Sequence, residues 1–512
     1  MSTPHTLPTG SERLMITLAV MSATLIQVLD TTIVNVALPH MAGQLGATTD
    51  QISWVLTSYL VSSAIVMPLT GYFSETIGRK RFLLICISGF VGASALCGIA
   101  QNLFEIVGFR LLQGVFGAAL VPLSQAIMTD AYPVEDRGKA MAIWGLGVMV
   151  GPVLGPTLGG WLTDVASWRW TFYINVPVGA LSFFLATQYI TESTKRERRM
   201  DWTGLALLGL GVAGLQYMLD RGTSQDWFSA NDIRVSGALA VVGLVGFIWW
   251  SLRLGPKALF DLRIFGDRNF AMACAVMLAM GLGLFGGLVL QPILLESLLG
   301  YPIVTTGIVM APRGVATAIA MIVVGRLVGK QDARILVAIG MLLSAAGSYA
   351  MTRYSLEVST FAIIWPAFLQ GLGLGLIFVP LSTIAYATME RTRIPEAAGI
   401  YSLVRTIGAA AGISVVTTLL TRQAQVIWNE LGAHVTRFNP ALLEYLRPLH
   451  LSPDDPRAMA LIAAQIGREA EMGAILDVFK VTTWSFLLML PLVLLLRRKK
   501  GGAAPPPAAA ME

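Results

Sequence analysis

Val28-Leu29-Asp30-Thr31-Thr32-Ile33-Val34-Asn35 decides the reading of this chain, because one carboxylate interrupts a run that is otherwise uncharged from Leu14 to Ala37. A run of that length matches the roughly 20 apolar residues a helix needs to cross a bilayer core of about 30 Å. Working outward, similar runs recur with polar breaks between them. The first set covers 14–37, 52–73, 82–101, 104–128, 140–163, 171–190, 202–219 and 234–253. The second covers 270–295, 305–326, 335–351, 360–386, 397–421 and 474–496. The expectation is an all-α integral membrane protein with fourteen spans.

Composition agrees. The 512 residues are 55% hydrophobic and 13% charged, with a mean hydropathy of +0.68; a soluble domain carries about 25% charged residues. The net charge of +6 would suit nucleic acid, but the basic residues sit between the apolar runs, as topology signals do, so no nucleic-acid partner is expected. Cys86, Cys97 and Cys274 all lie inside apolar runs without metal or redox spacing. The N-terminus lacks the pattern of a removable signal peptide, so the first run is read as a retained helix.

Lysine and arginine set the orientation. With the N-terminus in the cytoplasm, the inner loops hold Arg79-Lys80-Arg81, Arg137, Lys139, Lys195-Arg196, Arg198-Arg199, Arg253, Lys257, Arg263, Arg268, Lys330, Arg334, Arg391 and Arg393, and the tail adds Arg497-Arg498-Lys499-Lys500. The short outer loops hold only Arg169, Arg221, Arg234 and Arg353. Both termini are therefore expected in the cytoplasm.

The chain also repeats itself. Leu112-Gln113-Gly114 leads into Pro122-Leu123-Ser124, and Leu369-Gln370-Gly371 leads into Pro380-Leu381-Ser382. The loop Gly71–Arg81 parallels Gly325–Arg334 at a similar offset. Transporters are often built from such repeats. The expected domains are a cytoplasmic N-terminus (1–13), a six-helix bundle (14–190), an inserted helix pair (191–269), a second six-helix bundle (270–496) and a cytoplasmic tail (497–512). The second bundle includes one long outer segment, Arg422 to Gly473, with an amphipathic stretch Arg457–Glu471 after the break at Ser452-Pro453-Asp454-Asp455-Pro456.

A carboxylate at the depth of Asp30 is costly in its charged form and must face the interior, which makes it a candidate proton-binding residue; a structural hydrogen-bonding aspartate is the competing reading. Arg110 in the fourth run stays charged at any depth and needs a partner, so Asp30 and Arg110 are expected to pair; a purely structural clamp competes with that role. No histidine lies within a run, which leaves carboxylates to carry proton coupling. Gly147, Gly151, Pro152, Gly155, Pro156, Gly159 and Gly160 on the fifth run read as a bending interface between the two bundles, with tight packing alone as the alternative. Gly71, Glu75, Gly78 and Arg79 suggest a charged latch against the opposite bundle, with Asp130 a candidate partner for Arg79; a plain basic stop signal also explains the loop. Asn35, Gln113 and Arg405 are candidate cavity residues. No phosphate-binding loop is present, so an ion gradient must supply the energy and no cofactor is expected.

These motifs resemble the major facilitator superfamily, in its fourteen-helix drug:proton antiporter branch of EmrB-type multidrug exporters. Leu29-Asp30 with Thr32-Ile33-Val34-Asn35-Val36-Ala37-Leu38-Pro39 is similar to the first-helix signature of that branch. Gly71–Arg81 resembles the loop motif, with Glu75 where the family prefers aspartate. Arg110-Leu111-Leu112-Gln113-Gly114 resembles the fourth-helix motif, and Gly147–Gly160 the antiporter motif, followed by Trp168–Pro177 as in the branch. The resemblance implies proton-coupling roles for Asp30 and Arg110 and two six-helix bundles with a linker pair. It implies export of lipophilic or amphipathic compounds across a bacterial inner membrane, with a periplasmic adaptor of EmrA type and a TolC-type outer-membrane channel. Arg422–Gly473 is the candidate adaptor contact. Transport of one dedicated metabolite or lipid is the alternative on the same fold. A membrane-embedded lipid-modifying enzyme would need a catalytic constellation or large outer domain, and the sequence offers neither.

Overall fold

The computed structural model describes residues 10–133, 136–193, 195, 199–327, 331–390, 393–436, 439–453 and 455–496. Arg196, Arg198, Lys330, Arg391, Asp454 and the expected cytoplasmic tail lie outside the described residues, as does most of the N-terminal segment 1–13. Among the described residues the fold is helical without β-strands. Its principal helices are α1 (Gly10–Leu45), α2 (Trp54–Thr76), α3 (Arg79–Ile99), α4 (Leu103–Ala131), α5 (Arg137–Val165), α6 (Trp170–Tyr189) and α7 (Trp202–Arg221). They continue with α8 (Asn231–Lys257), α9 (Arg268–Pro292), α10 (Ile303–Leu327), α11 (Ala333–Met351), α12 (Thr360–Tyr386), α13 (Ile394–Ala433) and α14 (Pro456–Leu494).

Twelve of these are long and apolar enough to cross a membrane, so the chain is a multi-pass membrane protein. Large apolar side chains such as Phe104, Trp161, Trp202, Val241 and Leu488 stay exposed, as a lipid-facing surface requires. The remaining two, α5 and α9, are 29 and 25 residues long and occupy the places of the fifth and ninth expected runs.

Local chemistry sets the ends. Asn102 caps α4 by accepting from the Glu105 N–H, and Asp267 caps α9 by accepting from Asn269 and Phe270. Asp201 caps α7 and also receives Trp250 Nε1 at 3.0 Å and the Leu259 N–H at 3.0 Å, tying α7 to α8 and its following loop. Pro68 marks the place where α2 tightens into a 3-10 turn at Met67–Leu69.

Packing divides the chain in two. In the first half α1 lies against α4, α5 and α6, and α2 and α3 lie against α4. In the second, α9 lies against α12, α13 and α14, and α12 against α10 and α11. The halves meet along two seams. Along one, α5 runs beside α10, with Trp144 stacked on Phe378 of α12 at 6.0 Å. Along the other, α13 meets the Met67–Thr76 part of α2, whereas the Trp54–Val66 part packs against α7. The contact end of this second seam is the one bearing Arg79, Lys80, Arg81 and Arg393.

One sequence expectation changes. Arg422–Gly473, read as a separate outer segment, is largely the continuation of two helices: α13 runs 40 residues and α14 39. At about 1.5 Å per residue each is some 60 Å long, twice the bilayer core. Asp455 caps α14 by accepting from the Arg457 N–H, as the break before it suggested. A short helix, Pro440–Leu446, closes the tip over a small core of Leu446, Ala458 and Ile462.

Candidate functional site: a sealed charge network in the first half

α1, α2, α4 and α6 converge on Asp30, whose side chain is wholly buried, as is that of Arg110. Arg110 Nη1 donates to Asp30 Oδ2 at 2.5 Å and to Gln113 Oε1 at 2.7 Å. Gln113 Nε2 and Asn175 Nδ2 both donate to Asp30 Oδ1, at 2.9 and 3.1 Å. Arg110 Nε donates to the carbonyl of Val55 at 3.0 Å, and its guanidinium lies over the Tyr59 ring, 4.3 Å from the centroid. Ser94 supports the far side by accepting from Asn175 at 3.0 Å. The placement follows from helical spacing: Arg110 and Gln113, three residues apart on α4, share one face.

The carboxylate thus accepts from three donors on two other helices. The carboxylate and its donors thereby tie α1 to α4 and α6 around one buried ion pair.

The remaining sequence candidates divide. Gln113 is buried inside this network, its two polar ends engaged by Asp30 and Arg110. Asn35 is exposed, its amide donating to the Thr31 carbonyl at 3.3 Å. Arg405 is half-buried, eleven residues into α13. Asn175, Tyr59 and the Val55 carbonyl complete the site without having been named as site candidates; Asn175 alone left a trace, inside the Trp168–Pro177 stretch that resembles the branch.

The glycine run of α5 faces α1 of its own half and not the opposite bundle. A Cβ on Gly155 would stand 2.7 Å from Thr32 Cβ, and one on Gly159 2.7 Å from the Ile33 carbonyl oxygen; Thr32 donates to the Gly151 carbonyl at 3.0 Å. Gly147 abuts Met21 of α1 in the same way, and Gly160 is buried. The backbone stays helical through Pro152 and Pro156. Contact with α10 uses the other face of α5, where Gly145 meets Met321 and Thr157 meets Gly307. The glycines therefore set how closely α1 can approach α5, which positions Asp30.

In the Gly71–Arg81 loop, Arg79 pairs with Asp130 as foreseen, and Glu75 lies within electrostatic reach of Arg79. The loop also meets the second half through backbone: a Cβ on Gly71 would lie 2.8 Å from the Cα of Glu396 on α13. Gly78, at φ 97°, turns the chain into α3. Replacing Gly71 by valine is expected to wedge this end open, because the obstacle is backbone and cannot rotate away. A cysteine introduced at Ser402 should then label faster with a water-soluble maleimide from that end. An unchanged rate would count against the contact as a seal.

Comparison with known proteins bears on the whole chain. The model of the Major Facilitator Superfamily matches residues 20–413. The fatty acid resistance protein FarB of Neisseria gonorrhoeae is 36% identical, the alignment covering 94% of this chain and 96% of that one. The multidrug export protein EmrB of Escherichia coli K12 is 35% identical over 94% and 95%. Among solved structures, the human organic anion transporter MFSD10 (TETRAN) superposes with a TM-score of 0.61 at 15% identity, over 94% of this chain and 99% of that one, a likeness of fold.

Proposed function

The chain belongs to the major facilitator superfamily, and from that premise we propose that it is a proton-coupled antiporter exporting lipophilic and amphipathic toxic compounds. The observation that carries the reading is the sealed Asp30–Arg110 network, an ionisable pair inside the membrane whose partners sit on separate helices. Asp30 takes the proton, Arg110 holds the carboxylate ionised between turnovers, and Gln113 and Asn175 position it. The names of relatives, multidrug export and fatty acid resistance, favour small amphipathic cargo. Export of one dedicated compound remains the second reading, which the fatty-acid name of one relative favours.

In this proposal all fourteen long helices span the membrane, α5 and α9 included. Residues 14–190 and 270–496 form the two moving bundles, 191–269 the linker pair, and both termini face the cytoplasm. The basic end of the α2–α13 seam is then the cytoplasmic end, and its closure makes this the outward-facing form. The membrane is the bacterial inner membrane. The projecting ends of α13 and α14 are the candidate contact for an adaptor of EmrA type leading to a TolC-type channel; deleting the tip while preserving insertion should abolish adaptor co-purification.

The experiment is reconstitution in proteoliposomes. Several chemically unrelated amphiphiles should each drive proton flux through the protein. Flux with one compound only would favour the dedicated exporter, and no flux with any would overturn the reading.

A further inference from the structure

Charge inside the membrane is divided unevenly between the halves. In the first half the deep acid Asp30 and base Arg110 cancel. In the second, α10 and α13 carry Arg313 and Arg405 within their apolar runs, while the carboxylate inside an apolar run is Asp477, close to the start of 474–496. Glu296 is exposed. Glu396 accepts the Asp261 N–H at 2.8 Å and faces Arg393, and Asp477 holds Lys480 at 2.8 Å. Among the described residues neither deep guanidinium of the second half has a carboxylate partner.

The internal repeat shows what is missing. The offset that carries Gln113 to Gln370 carries Asp30 to Gly287. A Cβ built on Gly287 would stand 3.5 Å from Gln370 Nε2 and 3.7 Å from Arg313 Nη2. Arg313 donates from Nη1 to Gln291 at 3.1 Å, while its Nη2 and the Oε1 of Gln370 are buried without a partner. By the same offset Arg110 falls on Ala367, so the second half keeps the glutamine, brings a guanidinium from α10 in Arg313, and lacks the acid.

Arg405 is the other deep base of the second half. It lies eleven residues into α13, about 16 Å from the inner end and so near mid-membrane. It is half-buried where Arg313 is sealed, and it makes no hydrogen bond or ion pair with the described residues. The Tyr386 and Tyr401 hydroxyls lie within its electrostatic reach. Tyr401 precedes it by one helical turn, is 2% exposed, and has a hydroxyl with no partner. Tyr386 reaches across to Gln125 of the first half at 3.1 Å, so Arg405 stands at the seam, beside the closed end where Thr406 meets Met67.

We propose that Arg405, with the Tyr401 hydroxyl, is the subsite for the anionic headgroup of the cargo, so that the protein prefers negatively charged amphiphiles. The inference rests on the export reading and narrows its substrate class. A guanidinium held in the membrane without a counter-ion gains most from a ligand that brings one. Arg405 and the unpartnered Tyr401 hydroxyl, one helical turn apart, are two donors that a single anionic headgroup could engage. An amphiphilic cation meets uncompensated positive charge there.

The test uses the full-length protein in proteoliposomes with an imposed pH gradient, and two probes of equal chain length: dodecanesulfonate and dodecyltrimethylammonium, neither of which titrates. The wild type should take the sulfonate at lower concentration than the ammonium. Arg405→Gln should weaken the sulfonate by about 10- to 100-fold, the scale of a charge-assisted hydrogen bond, and leave the ammonium unchanged or improved. Arg405→Lys should recover part of the loss. Equal shifts for both probes would mean Arg405 only supports the fold and would overturn the proposal. So would a wild type that exports the ammonium but not the sulfonate, a result that leaves the export reading standing. Export of neither probe, with no proton flux, would overturn both.

Discussion

Asp30→Asn will reduce pH-gradient-driven export to the level of protein-free vesicles. The amide keeps the shape of the carboxylate but carries no charge and takes up no proton at working pH. It also leaves Arg110 fully buried beside Val55, Gln113 and Tyr59 without a counter-charge. Breaking one side of a buried pair costs about 3–5 kcal/mol, so the variant should melt at lower temperature in detergent. The two effects separate in a second background. Asp30→Asn with Arg110→Gln removes both charges, which should restore most of the stability while export stays absent. Asp30→Glu retains the charge on a longer arm and should keep a fraction of the activity. Normal gradient-driven export by Asp30→Asn would remove Asp30 from the coupling role. Recovery of export in the double variant would reduce the pair to a structural clamp.

The second large effect lies in the other half. Gly281 of α9 and Gly408 of α13 touch backbone to backbone: a Cβ on Gly281 would stand 2.8 Å from the Cα of Gly408, nearer still to its carbonyl, and one on Gly408 would stand 2.8 Å from the Leu278 carbonyl oxygen. A side-chain obstacle can rotate away, but two helix backbones must part. Gly281→Ala is therefore expected to cost at least the 1–3 kcal/mol of an overpacked core, and to lower both the yield of folded protein and its melting temperature in fluorescence-detected gel filtration. Gly432→Ala, near the end of α13 with open space around it, is the control. There alanine restricts only the unfolded chain and should be neutral or slightly stabilising. Equal behaviour of the two variants would mean that the close approach is not required for folding.

Much of this was legible before any coordinates. Asp30 and Arg110 stand out because charge within an apolar run is rare and must find a partner, and geometry makes them each other's. Asp130 as the partner of Arg79 was also readable from charge at helix ends. What the sequence hides is direction. The spacing of Gly147, Gly151, Gly155 and Gly159 marks a narrow helix face, yet spacing cannot say whether α1 or the opposite bundle lies against it. Val55 acts through its carbonyl, which every residue has. Asn175 is a neutral polar group in a run that tolerates several. Gly281 and Gly408 are two of 51 glycines. The projecting parts of α13 and α14 read as an outer loop of the second bundle because polarity rises there while helical periodicity continues, and hydropathy registers only the first.

That projection has a mechanical consequence. Because α13 runs without interruption from its contact with Gly71 at Glu396 to Ala433, it is a rigid arm with one end at the seam and the other at the projecting tip. A rocking of the second half by about 10°, of the order seen when packed subunits rotate, sweeps the tip through about 6 Å at an arm of some 35 Å. Opening at the α2–α13 seam would be felt at the tip as displacement, by leverage through the same helix that carries Arg405.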